Sequence, residues 1–516
     1  MRRSPISMLV LGLSLAQDYD PDNATLVTSY EVTPPIPDYG EACASQVVVQ
    51  KTFADSYGAP AVVEYTPPAE CLDFDQIVAE IHYKTFAYQY DRLAHVIKDG
   101  IEIWRPSTPE PLGANVTSSQ QKDLTRFASL FKYSGQFELQ LDNTVTDENE
   151  GTYDTEIVLN FYKGDSVVND DSWFYSPGSP ATNISSVIEP NTLISSSPAS
   201  GEIPQLSTNT TRAVLNVYAS GNANEEFWYT LDPTTDGPTR LVQVFVDGVL
   251  AGVVDPFPEV YTGGISPGLW QPLLGLKASD VPSYIVDISP FLPTLWSQST
   301  TVEVAVGNGS TSNPQSIQSN WIIETSLLVW ESAGIAGSGK IVSTDNSTFG
   351  EPTTVTGGFG GKYNYTVQNA AELSFQQDTG EVVSGTYTWS QNANMDNTNW
   401  VLSNGGNATQ EGHGSCSAVW DASSGSTAYS REHTYPLDFA ETIDLQQQVL
   451  TYIKMQRGYS VDIHNNGQDF WLHQTQDSEL DKSTGNFQSN NNVYEANYHR
   501  HASSLNDDIQ VDTTDS

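Results

Sequence analysis

Basic residues are scarce in this chain. Lys and Arg together number 21 against 63 Asp and Glu, for a formal net charge of −42. Nucleic acid and anionic membrane surfaces are held by clustered positive charge, so both are excluded as partners. Two settings accommodate such an excess: an acidic medium, in which many carboxylates are protonated, or a secreted surface kept soluble by its charge. Histidine is also scarce, at eight residues, with no His-Glu-x-x-His pair. His499 and His501 would share one strand face, as a metal pair or as a solvated His-Arg-His run. There is no phosphate-binding loop and no dinucleotide fingerprint. No metal or cofactor is expected, and any chemistry falls to carboxylates.

Cysteine is limited to three residues. In an oxidising compartment Cys43 and Cys71 form the expected pair, leaving Cys416 as a buried, inert thiol. Long apolar runs are absent beyond the first residues. There, Arg2 and Arg3 precede ISMLVLGLSLA, with Ser14 and Ala16 before Gln17. This is the pattern of a signal peptide over residues 1–16, too short to span a bilayer. Eight Asn-x-Ser/Thr sites fit export: Asn23, Asn115, Asn183, Asn209, Asn308, Asn346, Asn364 and Asn407. The expectation is a soluble glycoprotein, secreted or held in the vacuolar lumen.

What is abundant is short Val/Ile/Tyr/Thr segments between Gly, Pro, Asn and Ser turns, the pattern of an all-β chain. The segment Ile77–Tyr83 alternates apolar residues with Glu80, His82 and Lys84. Within Ile77–Pro111, read as a β-hairpin, Asp91 to Lys98 reads as a strand. Asp99-Gly100 is then a two-residue type I′ turn, and Ile101 opens the return strand. The spacing recurs: RLAHVIKDG at 92–100 and RLVQVFVDG at 240–248. One hairpin used twice implies two sandwich domains of similar build. At 516 residues the chain divides into 17–163, a second sandwich within 164–340 and a β-rich region over 341–516. The second sandwich proper starts near Arg212, after a Ser/Pro/Asn-rich linker from Ser176 to Thr211. The last region is either a third domain or a layer on the first two. Phe439 to Met455 is its most helix-like stretch.

The repeat separates structure from chemistry. Asp99 and Asp247 are turn residues in both copies, whereas Asp91 has Thr239 as its counterpart. As neighbours on a strand, Asp91 and Arg92 would face opposite sides. Glu226 runs straight into Phe227, Trp228 and Tyr229. A carboxyl against aromatic walls has its ionised form disfavoured, and two carboxyls with separated pKa values can serve as base and acid. Each also has a structural reading, Glu226 as a strand-edge residue before a core cluster. Trp104, Trp228 and Trp270 lie near these motifs, as rings for a sugar face or as core filling. Gly264-Ile265-Ser266-Pro267-Gly268 matches a nucleophile elbow in letters only. The residue after Ser266 is a proline without an N–H, and no helix is expected to follow.

At the runs YDRLAHVIKDGIEIWRPSTPEP, NEEFWYT, VFVDGVLAGVVDPFPEVYTGGISPGLWQP and YIVDISPFL the chain resembles the peptide:N-glycosidase A family, the acidic glycoamidases of plants and fungi. More distantly it is similar to bacterial peptide:N-glycosidase F, built from two adjacent jelly-roll sandwiches. The resemblance implies two jelly-roll-like antiparallel β-sandwiches plus a β-rich C-terminal region. It implies hydrolysis of the amide between an N-glycan and asparagine in glycopeptides or glycoproteins, without a cofactor, by a monomer or a processed single-gene product. Tyr90-Asp91-Arg92-Leu93-Ala94-His95-Val96 falls on the bacterial Trp-Asp-Arg-Tyr-Ala-Asn-Val run, which carries the principal catalytic aspartate over to Asp91. Glu226 matches a second catalytic glutamate. Arg92, Asn143, Trp228 and Trp270 are the implied substrate-binding residues. The chain departs from the pattern at Asn143, where the bacterial enzyme has an acidic residue, and at Gln271, where arginine is common. A secreted glycosidase and a glycan-binding sandwich are the alternatives.

Overall fold

The computed structural model describes residues 24–164, 180–231, 236–310, 317, 320–355, 358–402, 405–422, 425–444, 446, 449–484, 486–495 and 498–515. Asn23 and the expected signal peptide lie outside them. The described residues are predominantly β-strand, and the few helical turns are short.

Nine strands build the first sandwich: β1 (Leu26–Ser29), β2 (Ala44–Phe53), β3 (Ala61–Tyr65), β4 (Gln76–Thr85), β5 (Ala94–Lys98), β6 (Ile101–Trp104), β7 (Asn115–Asp123), β8 (Gly135–Leu141) and β9 (Tyr153–Tyr162). One sheet runs β1-β7-β4-β9-β2, the other β3-β8-β5-β6. Pairing is antiparallel except between β1 and β7. Strict alternation in β9 turns Tyr153, Ile157, Leu159 and Phe161 inward. They meet Val96, Ile103, Trp104 and Leu139 across the core. Cys43 and Cys71 are disulfide-bonded, with Cα atoms 5.8 Å apart.

The second sandwich has β10 (Asn183–Ile194), β11 (Ala199–Ile203), β12 (Thr210–Gly221), β13 (Leu241–Val246), β14 (Val249–Val254), β15 (Ser283–Asp287), β16 (Thr300–Gly307) and β17 (Trp321–Glu331). Its sheets run β10-β17-β12-β15 and β11-β16-β13-β14. The repeated hairpin is real. Asp99 and Gly100 have φ of 52° and 77°, Asp247 and Gly248 of 47° and 76°, the two positive values a type I′ turn requires.

Four expectations change. The segment from Ile77 is not part of the hairpin, because β4 belongs to the opposite sheet. Asp91 precedes the strand, which starts at Ala94. The amides of Asp91 and Arg92 are taken by Glu110 Oε2 and Thr108 Oγ1 instead of a neighbouring strand. Within the Ser176–Thr211 linker, β10 pairs with β17 and β11 with β16. Its polar composition reflects edge positions, with outward Ser and Asn. The helix-like stretch Phe439–Met455 is split between β22 (Gly425–Asp444) and β23 (Val449–Asn465). The alternation Tyr435, Leu437, Phe439 faces the core there, and packing overrides helical spacing.

The C-terminal third is one ten-stranded antiparallel sheet in chain order, β18 (Ile335–Val355) to β27 (Asp508–Asp515). It is a layer on the second sandwich: Tyr363, Tyr365, Trp389, Met455 and Ile463 share one core with Val244, Phe257 and Leu292. Phe257 meets Tyr435 and Tyr459 edge-on, at 5.3 and 5.5 Å between ring centres. The abundance of Asn and Gln has a physical purpose. β14 is an edge strand, and its outward backbone groups would be stranded beneath the layer. Gln391 Oε1 accepts from the Val253 amide at 3.0 Å, and Asn369 Nδ2 donates to the carbonyls of Leu250 and Ala251. Asn397 and Asn399 donate to the Tyr229 carbonyl. Gln476 holds both the Leu274 carbonyl and the Leu276 amide. Cys416 is buried in this sheet, and burial pushes its thiol up to about 12.

A chain ending at Ser332 should therefore lose cooperative unfolding or aggregate, since the apolar face of the second sandwich would be bared. A soluble fragment with an unchanged unfolding midpoint would show the layer to be an independent domain. Gln391→Leu should cost about 1–3 kcal/mol in urea unfolding, the penalty of an unsatisfied buried amide.

Candidate active site

Asp91 sits in an extended segment laid against the chain from Pro106 to Thr108. The Ala94 amide bonds the Pro106 carbonyl, and the Thr108 amide bonds the Arg92 carbonyl. Its half-buried carboxyl draws donors from both sandwiches. Ser107 Oγ lies 3.3 Å and Thr262 Oγ1 3.5 Å from Oδ2, and the Gly263 amide donates as well. Burial pushes the Asp91 carboxyl above its ordinary value, while the Gly263 amide, Ser107, the Arg92 charge and Thr262 pull it back. Glu110 Oε2 stands beside it, 3.3 Å from the Asp91 amide. A Cβ on Gly263 would overlap both Glu110 Oε2 and Asp91 Oδ1, so a larger residue here would push the two carboxyl groups out of place.

The second sandwich supplies Glu226, at the end of a 3₁₀ turn over Ala223–Glu225. Glu225 and Glu226 take opposite fates. Glu225 is fully buried, paired with Arg240 at 2.5 and 2.8 Å, and accepts from Trp321 Nε1 at 2.9 Å. Glu226 is half-buried, and burial followed by the Asp91 charge pushes it up to about 8. Glu259, 7% exposed, is likewise pushed up to about 8 by burial; Tyr261 donates to it at 3.0 Å. The Glu226 charge is among those raising the Tyr261 hydroxyl. Asp91 and Glu110 from the first sandwich thus meet Glu226, Glu259 and Tyr261 from the second at one seam.

The seam is held by a buried ion cluster at the end of β6. Arg105 donates to both oxygens of Glu102, at 2.8 and 2.7 Å, and His95 bonds Glu102 at 2.7 Å. The same guanidinium reaches Ser220 Oγ at 2.7 Å and the Ile322 carbonyl at 3.1 Å in the second sandwich. Trp104 Nε1 donates to the Ser279 carbonyl, and Ser107 and Val281 add backbone bonds across the seam. Burial alone would raise Glu102; Arg105 and then His95 overturn it and hold the carboxyl at about 2.

Arg92 is half-buried, with Nε 3.0 Å from Asn143 Oδ1 and Nη2 3.0 Å from Gln89 Oε1. Asn143 is fully buried and donates to the Phe53 and Gly151 carbonyls. It therefore orients Arg92 and has no surface for a ligand. The expected ring platforms are also relocated. Trp228 and Trp270 are only 2% and 1% exposed, and Trp104 is fully buried, so these indoles have no open face. Trp228 packs on Tyr229 and Trp321. Trp270 donates to the Gly264 carbonyl and lies under Arg457. Beside the seam Tyr90 does keep an open face, 48% exposed and 5.9 Å from Arg92. Ser266 begins a single 3₁₀ turn, Pro267–Trp270, where no helix was expected, and remains a loop residue. His499 lies 4.0 Å from an Asp515 carboxyl oxygen and His501 bonds Asn492 at 3.0 Å, and no cluster of three metal-ligating side chains occurs among the described residues.

Glu110, Glu259, Tyr261, Thr262 and Gly263 escaped the sequence reading. They sit in the runs STPEP and PEVYTGG, whose Pro and Gly content reads as turns. The only available signal was a carboxyl in each Pro-Glu pair.

Glu102 gives a pH test. Its folded pKa lies below the unfolded value, so its stabilisation is full above about pH 4.3 and is lost as pH falls toward about 2. Glu102→Gln should cost about 3–5 kcal/mol at pH 7, where Arg105 is left unpaired, and clearly less at pH 3 in denaturant titrations. An equal cost at both pH values would contradict the ion-pair account.

Comparisons with known proteins identify the family. The family model for peptide N-acetyl-β-D-glucosaminyl asparaginase amidase A matches residues 33–347, which include every seam carboxyl. Peptide-N4-(N-acetyl-β-glucosaminyl)asparagine amidase A of Prunus dulcis is 32% identical over 308 residues, 51% of this chain and 51% of that protein. The chain thus spans about half the length of that curated relative. A solved structure of PNGF-II aligns with 56% of this chain and 65% of its own at 13% identity and a TM-score of 0.38. With more than half of its residues matched, the chain belongs to the peptide N-acetyl-β-D-glucosaminyl asparaginase amidase A family.

Proposed function

We propose that this protein hydrolyses the amide bond between an N-linked glycan and asparagine, leaving aspartate in the peptide and releasing the intact glycan as a glycosylamine. The observation that carries this reading is that Asp91 and Glu226, from two sandwiches, lie close enough for the Asp91 charge to raise Glu226, and are poised differently. Asp91 has four partners that favour its anion, while burial and Asp91 itself keep Glu226 protonated up to about pH 8. Such a pair supplies one base and one acid at the same pH. Family membership and the name of the almond relative point to the same bond.

In this reading Asp91 takes a proton from water as its oxygen attacks the side-chain carbonyl carbon. The C–N bond then breaks, and the departing nitrogen takes a proton from Glu226. Arg92, fixed by Asn143 and Gln89, and the open face of Tyr90 line the approach for the sugar next to the asparagine. The substrates are N-glycosylated peptides or glycoproteins, met outside the cytosol. The seven described acceptor asparagines of this chain are all exposed or half-exposed, as glycan carriers would be.

A short glycopeptide in oxygen-18 water tests the reaction by mass spectrometry. An intact free glycan and a labelled aspartate are expected; a sugar left on asparagine would mean glycosidic cleavage. Asp91→Asn should lower kcat/KM by about 10²–10⁴-fold, and full activity in this variant would sink the mechanism. As pH rises through about 8, Glu226 loses its proton and wild-type activity should fall. Glu226→Gln should be slow throughout and lack that limb.

A further inference from the structure

Glu110 has no place in the two-residue scheme, yet its carboxyl bonds the Asp91 amide and stands beside the Asp91 carboxyl. We propose that Glu110 and Asp91 form a carboxyl dyad sharing one proton, with Glu110 the positioning residue that holds it and so leaves Asp91 as the single anion. This rests on the reading of Asp91 as the base.

The geometry argues it. Glu110 Oε2 and Asp91 Oδ1 converge on the point a Gly263 side chain would occupy. Glu110 Oε2 also accepts the Asp91 amide at 3.3 Å, which fixes the two residues in register. The Glu110 loop has little freedom: Gln271 Nε2 donates to the Glu110 carbonyl, and Tyr153 Oη donates to the carbonyls of Tyr90 and Pro109, at 2.7 and 3.2 Å. Glu110 is 8% exposed. Two carboxylates this close in a largely dry seam cannot both ionise at neutral pH.

The charges facing the pair decide which one keeps the proton. Arg92, from the same loop, favours the anion of both; Glu226, from the second sandwich, opposes ionisation of Glu110, and Tyr153 is neutral. Ser107, Thr262 and the Gly263 amide all donate to Asp91. For Glu110, burial and then the Asp91 charge outweigh the Asp91 amide and the Arg92 charge, and it is driven well above the ordinary range. The dyad titrates as a unit, in two steps belonging to the pair.

Glutamine mimics a protonated Glu110, which makes Glu110→Gln the decisive variant. It should stay within about threefold of wild type at the optimum, with the acid limb of its pH–rate profile unmoved, because Asp91 ionises beside a neutral partner in both proteins. Glu110→Ala should be at least tenfold slower. An acid limb displaced downward by about one unit in Glu110→Gln would show that Glu110 is normally ionised and would overturn the dyad. So would a Gln variant as slow as the Ala variant while both unfold at the wild-type temperature. Infrared difference spectra at neutral pH give a readout independent of turnover: wild type minus Glu110→Gln should contain one protonated-carboxyl band. If that band is present but wild type never deamidates a glycopeptide, the dyad stands and the proposed reaction falls. If turnover occurs and the band is missing, the reaction stands and the dyad falls.

Discussion

Everything at the seam depends on Arg105. Its guanidinium is fully buried, spends two donors on Glu102, and sends two more into the second sandwich at Ser220 and Ile322. Burying such a charge is expensive unless every donor finds an acceptor, so the cluster tolerates one geometry. Because Arg105 directly follows β6, that geometry carries into the chain from Pro106 to Pro111, where Ser107, Thr108 and Glu110 set the position of Asp91. A rigid-body shift between the sandwiches would break the Arg105 bonds to Ser220 and the Ile322 carbonyl.

Around that fixed point the seam uses polarity gradients more than special residue types. Five carboxyls share a volume with few cations. Glu102 is bound by Arg105 and His95 and stays an anion, Glu110, Glu226 and Glu259 are forced toward neutrality, chiefly by burial, and Asp91 lies between because donors reach it from both sides. Environment, not residue identity, sorts structural from chemical carboxyls. Neighbouring Glu225 and Glu226 show this most directly, one locked to Arg240 and Trp321, the other facing Asp91.

The C-terminal layer acts at a distance. Its inward amides complete the backbone bonding of β14 and of the segment Leu274–Leu276, and Arg457 covers Trp270. The N-terminal Glu31 accepts from the amides of Lys277 and Ser279 on the same stretch. The long loop from Phe257 to Ala278, which bears Glu259, Tyr261, Thr262 and Gly263, is therefore braced by the layer and the N-terminal segment.

By itself the sequence determined the all-β character, the two copies of the Asp-Gly hairpin, the Cys43–Cys71 pair and the choice of Asp91 and Glu226 as candidates. Apart from the disulfide, each is a local property: strand periodicity, positive φ at two turn residues, or a carboxyl in an unusual local setting. The broken repeat at Asp91 and Thr239 was legible for the same reason. Tertiary structure decided the rest. The Asn/Gln-rich third looked featureless because its amides bond backbone groups hundreds of residues away. Trp228 and Trp270 looked like sugar platforms because a tryptophan's exposure is set by what packs over it. Glu110 read as one more polar residue between two prolines, since only the arrival of Gly263 from the other sandwich turns it into Asp91's partner. Proton affinities at the seam are set by desolvation and by through-space charge, and neither is written in residue order.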